Sequence, residues 1–464
     1  MAESGGSTAT TLRLRKVSDS LGHPQTRTVG SSTDGYTPKS PLIVVLELGA
    51  VIFESRYGVS LGLFDVGCLE LWGRAEPSSS RYIDCMSHKQ AAEAAFSSVE
   101  NELRETSVWM YHNPELQYQE FESSRRLSEL LANNGFEVAY PTHGLETAFE
   151  ATVGTSGPRI VICCEYDALP KVGHACGHNI IATAAVGAGV ALVGLVGDLG
   201  IRVTVLGTPA EEGGGGKVDL INAGAFEDAA AAMMIHPGPD DQLDPSFQAN
   251  NSVSVEYFGK DSHAAFAPWD GINALDAFVN AYMNVSTLRQ SLRPGDTVHC
   301  IIDHGGDASN IIASYTKSTW GIRSTTAERL EALYPKVEAC FEAAALSTGC
   351  RLEISSVAHP YLNMVSNPVM TSLYAANSEG LGRPMPTEEE TGADGGSSDM
   401  GNVSQVVPSI HPMIGIDSGD AVNHQPEFAA HTITPSGVQA IRDGALGMAY
   451  TIIDMAEQDV WDQL

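Results

Sequence analysis

Between residues 136 and 235 the sequence alternates short runs of β-branched and aromatic residues with segments of helical length. The runs Arg159–Cys164, Ile201–Leu206 and Ala231–Ile235 are predicted strands, and a small-residue helix is predicted at about Asn179–Val196. Strands that alternate with helices form a mostly parallel sheet, because each connection has to cross over that sheet. We therefore predict an α/β domain whose functional residues lie just beyond the ends of its strands.

The pattern changes after residue 247. The order becomes strand, helix, two strands, helix and strand, with the helices at Ala274–Leu292 and Thr326–Thr348. A β-α-β-β-α-β unit of this size forms a small compact domain. Because the α/β pattern returns afterwards, we predict one catalytic domain that is split in sequence by an inserted domain. The predicted segments are 88–247 for the first catalytic part, 248–366 for the insert and 367–464 for the second catalytic part.

The first 87 residues fit neither pattern and are left as an unassigned extension. Residues 1 to about 40 are rich in Ser, Thr and Gly, a composition that predicts disorder. The apolar run Pro41–Phe53 contains Glu47 and is too short to span a bilayer. The amino terminus lacks the apolar core of a signal peptide. These features argue against a secreted or membrane-embedded protein.

The chain is strongly acidic, with 57 Asp and Glu residues against 26 Lys and Arg residues, which gives a formal charge of −31. Such a surface repels phosphate groups, so nucleic acid and anionic membrane surfaces are not expected as partners. The eight cysteines show no dense, regular spacing of the kind found in disulfide scaffolds. We therefore predict a protein of the reducing cytoplasm.

Two segments of the predicted α/β domain carry groups that bind divalent metal ions. Cys176 and His178 form a Cys-x-His pair in a glycine-bearing loop, and Asn179 is placed to cap the following helix. Glu211 and Glu212 follow a buried strand and precede four glycines, which allow close approach of the backbone to a ligand. One such carboxylate can bind metal while the other accepts a proton from water. Each pair alone also fits an ordinary buried thiol or a solvated acidic patch.

Several histidines are ambiguous by themselves. His236 ends an apolar run, where a lone histidine is more often a core residue than a ligand, and His424 is equally ambiguous. His263 has no ligand partner nearby in sequence, but it is suited to polarise a carbonyl group. The histidines expected to be structural are His304, His359 and His411.

Seven motifs occur in a fixed order along the chain. They are Tyr-His-Asn-Pro-Glu-Leu from 111, Glu-Tyr-Asp-Ala-Leu-Pro from 165, Gly-His-Ala-Cys-Gly-His from 173, Gly-Thr-Pro-Ala-Glu-Glu from 207, Gly-Lys-Asp-Ser-His-Ala-Ala from 259, Ser-Asn-Ile-Ile from 309 and His-Gln-Pro-Glu-Phe from 424. In this order they resemble the M-twenty family of metallopeptidases, over about residues 88 to 460. Segments starting at Ser398 and Val407 resemble the branch with aminobenzoyl-glutamate hydrolase and dipeptidases for β-alanyl or γ-aminobutyryl dipeptides with a basic carboxyl-terminal residue.

The resemblance implies a set of metal ligands. Cys176 would bridge two divalent ions, in place of the aspartate found in other branches. Glu212 and His424 would complete the site of one ion, and His178 and His236 would complete the site of the other. A thiolate ligand favours zinc over manganese or cobalt.

The resemblance also implies roles around these ions. Glu211 would be the general base, and Asp167 would orient a metal ligand. His263, from the insert of one subunit, would stabilise the oxyanion in the active site of the other subunit. Asn310 and Arg323 would contact the substrate, with Arg323 binding its carboxylate.

As a whole, the resemblance implies a zinc-peptidase-like catalytic domain with an inserted dimerisation, or lid, domain in a homodimer. The reaction would be two-metal hydrolysis of an amide bond in a dipeptide or an N-acyl amino acid. Two positions depart from many relatives: Asn179 replaces an aspartate, and Glu165 stands where amidohydrolases often have arginine. An aminoacylase-like amidohydrolase and a catalytically silent metal-binding scaffold remain as alternatives. Loss of the base or of two ligands would favour the scaffold, and the sequence shows neither loss.

Overall fold

The structure, a computed structural model, describes residues 43–46, 50–55, 58–63, 86–387 and 396–464, with only the backbone given for the first three segments. The disorder predicted for residues 1 to about 40 lies outside these residues. The chain divides into two compact units, residues 1–77 and 78–464. In the first unit, three strands form an antiparallel sheet in the order β1-β2-β3. These strands are β1 (Ile43–Leu46), β2 (Ala50–Ser55) and β3 (Gly58–Leu63).

The second unit contains both predicted patterns of helices and strands. Its helices are α1 (His88–His112), α2 (Phe121–Asn133), α3 (His178–Leu192), α4 (Val196–Leu199), α5 (Gly216–Asn222), α6 (Ala274–Leu288), α7 (Ala327–Thr348), α8 (Pro368–Gly380), α9 (Met400–Ser404), α10 (Pro426–His431) and α11 (Pro435–Glu457). Its strands are β4 (Glu137–Ala139), β5 (Phe149–Val153), β6 (Arg159–Cys164), β7 (Arg202–Gly207), β8 (Ala229–Met233), β9 (His236–Gly238), β10 (Ala249–Phe258), β11 (Thr297–His304), β12 (Tyr315–Ser324), β13 (Arg351–Ser356), β14 (Ser409–Ile410) and β15 (Met413–Gly415). Short 3-10 helices lie at Pro268–Asp270, Arg289–Ser291 and Trp461–Gln463.

Local signals in the sequence account for several helix starts. At the start of α1, Ser87 and Gln90 form a reciprocal capping box that satisfies two backbone N–H groups. Thr326 and Thr434 cap α7 and α11 through their side chains, and Asn367 caps α8. Both α8 and α11 begin with proline, whose missing N–H has no partner to lose at that position.

The central sheet of the second unit has the strand order β14-β8-β6-β7-β5-β4. Strands β14, β8, β6 and β7 are parallel, whereas β5 and β4 add an antiparallel edge. Alternate residues of β6 belong to two different apolar clusters: Ile160 and Ile162 face the cluster with α1, α3 and α11, and Val161 faces the cluster with α5 and α9. Helices therefore cover both faces, and the predicted mostly parallel α/β sheet is confirmed.

Small residues let α3 lie at the centre of this domain. Every residue of α3 is buried, and the helix packs against both α1 and α11. A Cβ added at Gly187 would lie 2.8 Å from the Phe96 ring and 3.2 Å from Ala445. A larger side chain there would push the neighbouring helices apart, which explains the Gly/Ala-rich sequence.

The insert forms a second, separate sheet with the order β11-β12-β10-β13, antiparallel throughout. Helices α6 and α7 pack on it around Trp320 and Phe341, which are both fully buried. The β-α-β-β-α-β order is the predicted one. The chain enters and leaves this region side by side, because Asn250 and Tyr361 exchange two backbone hydrogen bonds of 2.8 Å.

The parallel strands bring the chemically active loops to one edge of the central sheet. Glu165 and Asp167 follow β6, Glu211 and Glu212 follow β7, and His236 opens β9 just after β8. Because β6, β7 and β8 run in the same direction, their carboxyl ends lie together. In the described part of the chain, no helix combines the length and the apolar character needed to cross a membrane.

Candidate metal centre

Five side chains that are far apart in sequence converge at this edge. The Cys176 sulfur lies 3.5 Å from Nε2 of His236 and 3.5 Å from Nε2 of His424. Glu212 Oε2 lies 3.7 Å from His424 Nε2, and Glu212 Oε1 lies 3.8 Å from His178 Nε2. The ligand atoms form two groups, each within 4.8 Å: Cys176 with His178 and His236, and Cys176 with Glu212 and His424. The thiol is common to both groups.

These separations fit divalent metal ions. Ligands about 2.0–2.3 Å from a tetrahedral zinc ion lie roughly 3.3–3.7 Å from one another. His178 Nε2 and Glu212 Oε1 are buried and have no hydrogen-bond partner among the described residues. Buried polar atoms normally have hydrogen-bond partners. Unpaired atoms that lie among other metal-binding atoms therefore indicate a cation site. The donor set can hold two adjacent ions that share the thiolate.

The two groups differ in exposure. Cys176, His178 and His236 are all buried, whereas the group with Glu212 includes His424, which is exposed. The exposed side is therefore the one that a substrate can approach. The loop carrying His424 is tied to the loop carrying Cys176, since the His424 amide donates to the Ala175 carbonyl at 2.8 Å.

Gly177 determines the conformation of the loop that carries the candidate ligands Cys176 and His178. Gly177 has φ +78°, a left-handed conformation that residues with a Cβ rarely adopt. A Cβ there would lie 2.3 Å from Cγ of Pro237, the residue next to His236. Gly177 thus lets the loop of Cys176 and His178 pack directly on the segment that carries the third ligand.

Asn179 does not cap α3, so that prediction was wrong. The helix begins at His178 with Gly177 in the cap position, which places Asn179 inside the first turn. The Asn179 amide nitrogen instead donates to Ser107 Oγ at 2.9 Å and to Thr432 Oγ1 at 3.2 Å. It joins α3 to α1 and to the segment that precedes α11.

Asp167 orients two of the candidate ligands. Its Oδ1 lies 3.0 Å from His178 Nδ1, and its Oδ2 accepts from the Glu212 amide at 3.0 Å. Burial raises the pKa of Asp167, but His178 and the Glu212 amide outweigh this effect and hold the pKa below its usual value. An ionised Asp167 keeps a proton on His178 Nδ1, which leaves Nε2 free to bind a metal ion.

Glu211 and Glu212 are buried next to each other and close to other carboxylates, which raises their pKa values when no cation is bound. Burial, followed by repulsion from Glu165 and Glu212, raises the pKa of Glu211 well above its usual value. Burial also raises the pKa of Glu212 to about 7, although His178 opposes the rise. Glu211 Oε2 lies 3.8 Å from His178 Nε2, and Tyr361 donates its hydroxyl to the Glu211 backbone carbonyl. Glu211 belongs to neither of the two groups that share Cys176, but it forms a third group of possible metal-binding atoms with Glu165 and His178.

The predicted site residues of the insert, His263, Asn310 and Arg323, lie outside the groups of candidate metal ligands. His263 and Asn310 are exposed and lie on paired segments, since Ala264 donates its amide to the Asn310 carbonyl at 2.9 Å. In the described part of the chain, His263 contacts its own loop, where its Nδ1 accepts from the Ala265 amide at 3.3 Å. Arg323 is half-buried and donates to Ser397 Oγ at 2.9 Å. Among the residues that the structure describes, no contact joins His263, Asn310 or Arg323 to Cys176 or to the side chains grouped with it.

Sequence reasoning missed a buried ion cluster beneath the candidate ligands. Lys217 Nζ lies 2.5 Å from Glu165 Oε1 and 2.5 Å from Asp399 Oδ1, and all three side chains are fully buried. In the sequence, Glu165 is distinguished only because amidohydrolases often have arginine at this position. Its position directly after the apolar strand β6 was the available signal, because a charged side chain there has to be buried with a partner.

The histidines expected to be structural lie outside both groups. His359 Nε2 lies 2.8 Å from Asp219 Oδ1, and the same carboxylate accepts from the Tyr118 hydroxyl at 2.7 Å. The His411 ring packs edge-on against Phe247 at 4.5 Å. His304 lies 3.7 Å from Asp307 in the insert.

Comparison with known proteins identifies the family. The model for Peptidase family M20/M25/M40 matches residues 164–445. The Xaa-Arg dipeptidase of Mus musculus is 39% identical over 396 residues, which cover 82% of this chain and 92% of that protein. A p-aminobenzoyl-glutamate hydrolase polypeptide of Escherichia coli (strain K12) is 30% identical over 265 residues, 53% of this chain and 55% of that protein.

A solved structure supports the same fold. The crystal structure of the YXEP protein of Bacillus subtilis, described as a dinuclear metal-binding peptidase, aligns with a TM-score of 0.59 and 20% identity. The alignment covers 77% of this chain and 99% of that one. The chain therefore belongs to Peptidase family M20/M25/M40, the M-twenty family, and it is an enzyme that hydrolyses peptide bonds.

Proposed function

We propose that the protein is a two-metal dipeptidase that cleaves the peptide bond before a basic carboxyl-terminal residue. The observation that carries the proposal is the Cys176 thiol, which is shared by two groups of donors with separations that suit divalent ions. The substrate class follows from the similarity to the Xaa-Arg dipeptidase of Mus musculus, which extends over 92% of that relative. Zinc is the preferred ion, because a thiolate is a soft ligand.

In this proposal each candidate ligand keeps one role. Cys176, Glu212 and His424 would hold one ion, and Cys176, His178 and His236 would hold the other. When bound, the ions would supply Lewis acidity and lower the pKa of water from 15.7 towards about 7. Glu211 is buried next to Glu212 and is not one of the five proposed ligands, so its carboxylate would accept the proton of the attacking water. Glu211 then donates that proton to the leaving amine.

We further propose that the enzyme is a homodimer in which the insert completes the active site. Within one chain, His263 and Asn310 are exposed, and among the described residues they make no contact with Cys176 or the side chains grouped with it. A second subunit would bring His263 to the carbonyl oxygen, where it would stabilise negative charge. Asn310 and Arg323 would contact the substrate, and Arg323 would bind its carboxylate. A cytoplasmic location suits the centre, since the described cysteines, Cys176 among them, are free thiols.

The experiment that tests this function combines metal analysis with a substrate panel. Metal-free protein is titrated with zinc and assayed on β-alanyl and γ-aminobutyryl dipeptides ending in arginine or lysine, and in parallel on N-acetyl amino acids. We expect two zinc ions per chain and faster hydrolysis of the dipeptides. Preference for the N-acyl substrates would support the aminoacylase-like alternative, and zinc binding without hydrolysis would support the silent scaffold.

The variant Glu211→Gln tests the proposed base. It is expected to bind zinc as the parent does, because the substitution leaves the five proposed ligands, Cys176, His178, Glu212, His236 and His424, in place. Turnover should fall by about 100-fold or more, since proton transfer by a positioned side chain contributes on that order. Glu122→Gln, on the exposed face of α2, is the matched control and should keep full activity. Parental turnover in Glu211→Gln would contradict the assignment.

A further inference from the structure

Glu165 is a fully buried carboxylate beneath the metal centre, and only one of its oxygens is satisfied. Oε1 accepts a hydrogen bond from Lys217 Nζ at 2.5 Å. Oε2 is buried and has no hydrogen-bond partner among the described residues. Leaving a buried charged acceptor unpaired is costly, so an oxygen in this position indicates a ligand atom.

The unpaired oxygen faces the candidate metal ligands. Glu165 Oε2 lies 3.6 Å from His178 Nε2, which is also buried and without a hydrogen-bond partner among those residues. Glu165, His178 and Glu211 each offer one atom within 4.8 Å of the other two. Two atoms that bind the same tetrahedral zinc ion at about 2.0–2.1 Å lie roughly 3.4 Å apart. The observed distance therefore suits neighbouring ligands of one ion.

The charge balance of the cluster points the same way. Lys217 Nζ is shared between Glu165 and Asp399, each at 2.5 Å, so one ammonium group faces two buried carboxylates. Two buried carboxylates therefore share one ammonium group, and a buried carboxylate is stabilised only when its oxygens are paired with good geometry. Lys217 also fixes Oε1 of Glu165, which leaves Oε2 directed towards His178.

We propose that Glu165 is an additional ligand of the ion held by His178, and that Lys217 holds it in position. This role depends on the metal centre proposed above and extends its ligands beyond Cys176 and the side chains grouped with it. The carboxylate would supply negative charge to the buried ion, and its donor group does not include the exposed His424.

Zinc affinity in matched variants tests this role. Full-length protein is stripped of metal and titrated with zinc against a fluorescent chelator. Glu165→Gln keeps the size of the side chain and removes its charge, whereas Asp399→Asn removes the other carboxylate that contacts Lys217. We expect Glu165→Gln to weaken one of two zinc sites by about 10–100-fold or more. Asp399→Asn should lower thermal stability but keep the zinc affinity of the parent.

Cobalt(II) provides a readout that a purely structural role would not change. The visible absorption bands of the cobalt-substituted protein should differ between Glu165→Gln and the parent, and should be the same in Asp399→Asn and the parent. If Glu165→Gln does not fold, Glu165→Asp keeps the charge next to Lys217 but withdraws the oxygen, and it should also weaken zinc binding and shift the bands.

Three results would overturn the proposal. They are parental zinc affinity together with a parental cobalt spectrum in the Glu165 variants, an equal loss of affinity in Asp399→Asn, and a parent that binds no zinc at all. The last result would also reject the proposed two-metal function, whereas the first two leave that function intact.

Discussion

Buried charge dominates the chemistry of individual residues near the candidate site. The roles of Cys176, His178 and Glu211 could be suggested from sequence, because they lie in short motifs of metal-binding and acid–base residues. The ion cluster of Glu165, Lys217 and Asp399 could not, because 182 positions separate the lysine from the aspartate. Only folding shows that β6, α5 and the segment before α9 bring these charges together.

Lys217→Met should destabilise the protein strongly. The pKa of Lys217 is raised, because Asp399 and Glu165 outweigh the effect of burial, which lowers it. Removing the ammonium group leaves two buried carboxylates without a counter-charge, at a cost of about 3–5 kcal/mol. Urea unfolding of the metal-free variant measures this loss.

Lys89→Met serves as the control for that measurement. Lys89 pairs with Asp454 at 2.8 Å, but its side chain is 36% exposed. Its removal should therefore cost no more than about 1 kcal/mol. Equal losses in the two variants would show that the cluster under the metal centre contributes nothing special to stability.

At the scale of elements, the periodicity of apolar residues predicts which segments form strands and helices, but it predicts their ends less well. The predicted strand Arg159–Cys164 coincides with β6, and both helices of the insert are present. The predicted cap at Asn179 was wrong, because the helix starts one residue earlier, with Gly177 in a left-handed conformation. A sequence shows that a glycine is present, but not that its neighbour in space is Pro237.

Gly177→Ala should disrupt the metal centre. The substitution strains a backbone at φ +78° and places a methyl group 2.3 Å from Pro237 Cγ, so the Cys176–His178 loop has to move away from His236. We expect a loss of about 1–3 kcal/mol in unfolding free energy, together with weaker zinc binding. Calorimetry and zinc titration of the same samples measure both effects.

The control for this substitution is Gly197→Ala in α4. No heavy atom lies within 4 Å of a Cβ added at Gly197, and its φ lies outside the left-handed range. Its stability should change by less than about 1 kcal/mol, and zinc binding should be unaffected. Unaltered zinc binding in Gly177→Ala would mean that the loop tolerates the displacement.

At the scale of the whole molecule, the change from an α/β to a β-α-β-β-α-β pattern predicted an inserted domain, and the insert forms a four-stranded sheet separate from the six-stranded central sheet. What the sequence does not reveal is which surfaces of the insert meet another copy of the chain, because exposure depends on strand order. Strand β11 lies at the edge of the insert sheet, with Ile301 62% exposed. On the neighbouring helix α6, Met283 is 56% exposed. An uncovered edge with apolar side chains suits pairing with a second copy.

Ile301→Lys should therefore yield a monomer with little activity. A charge on the exposed edge opposes strand pairing between subunits, which is how natural proteins protect such edges. Leu346→Lys on α7 is the control, because Leu346 is 87% exposed but lies outside strand β11. Sedimentation velocity with an activity assay should show a dimer for the control and a monomer for Ile301→Lys. A fully active monomer would refute the need for a second subunit.

Mixing two inactive variants tests whether His263 acts across the dimer. In His263→Ala mixed with Glu211→Gln, a heterodimer contains one active site with Glu211 from the first chain and His263 from the second. Random reassortment makes about half of the dimers mixed, with one intact site in each, so the mixture should recover roughly a quarter of the parental activity. If His263 served its own chain, every site would lack either the base or the histidine. Activity would then stay at the sum of the two inactive variants, even after subunit exchange is verified by mass spectrometry.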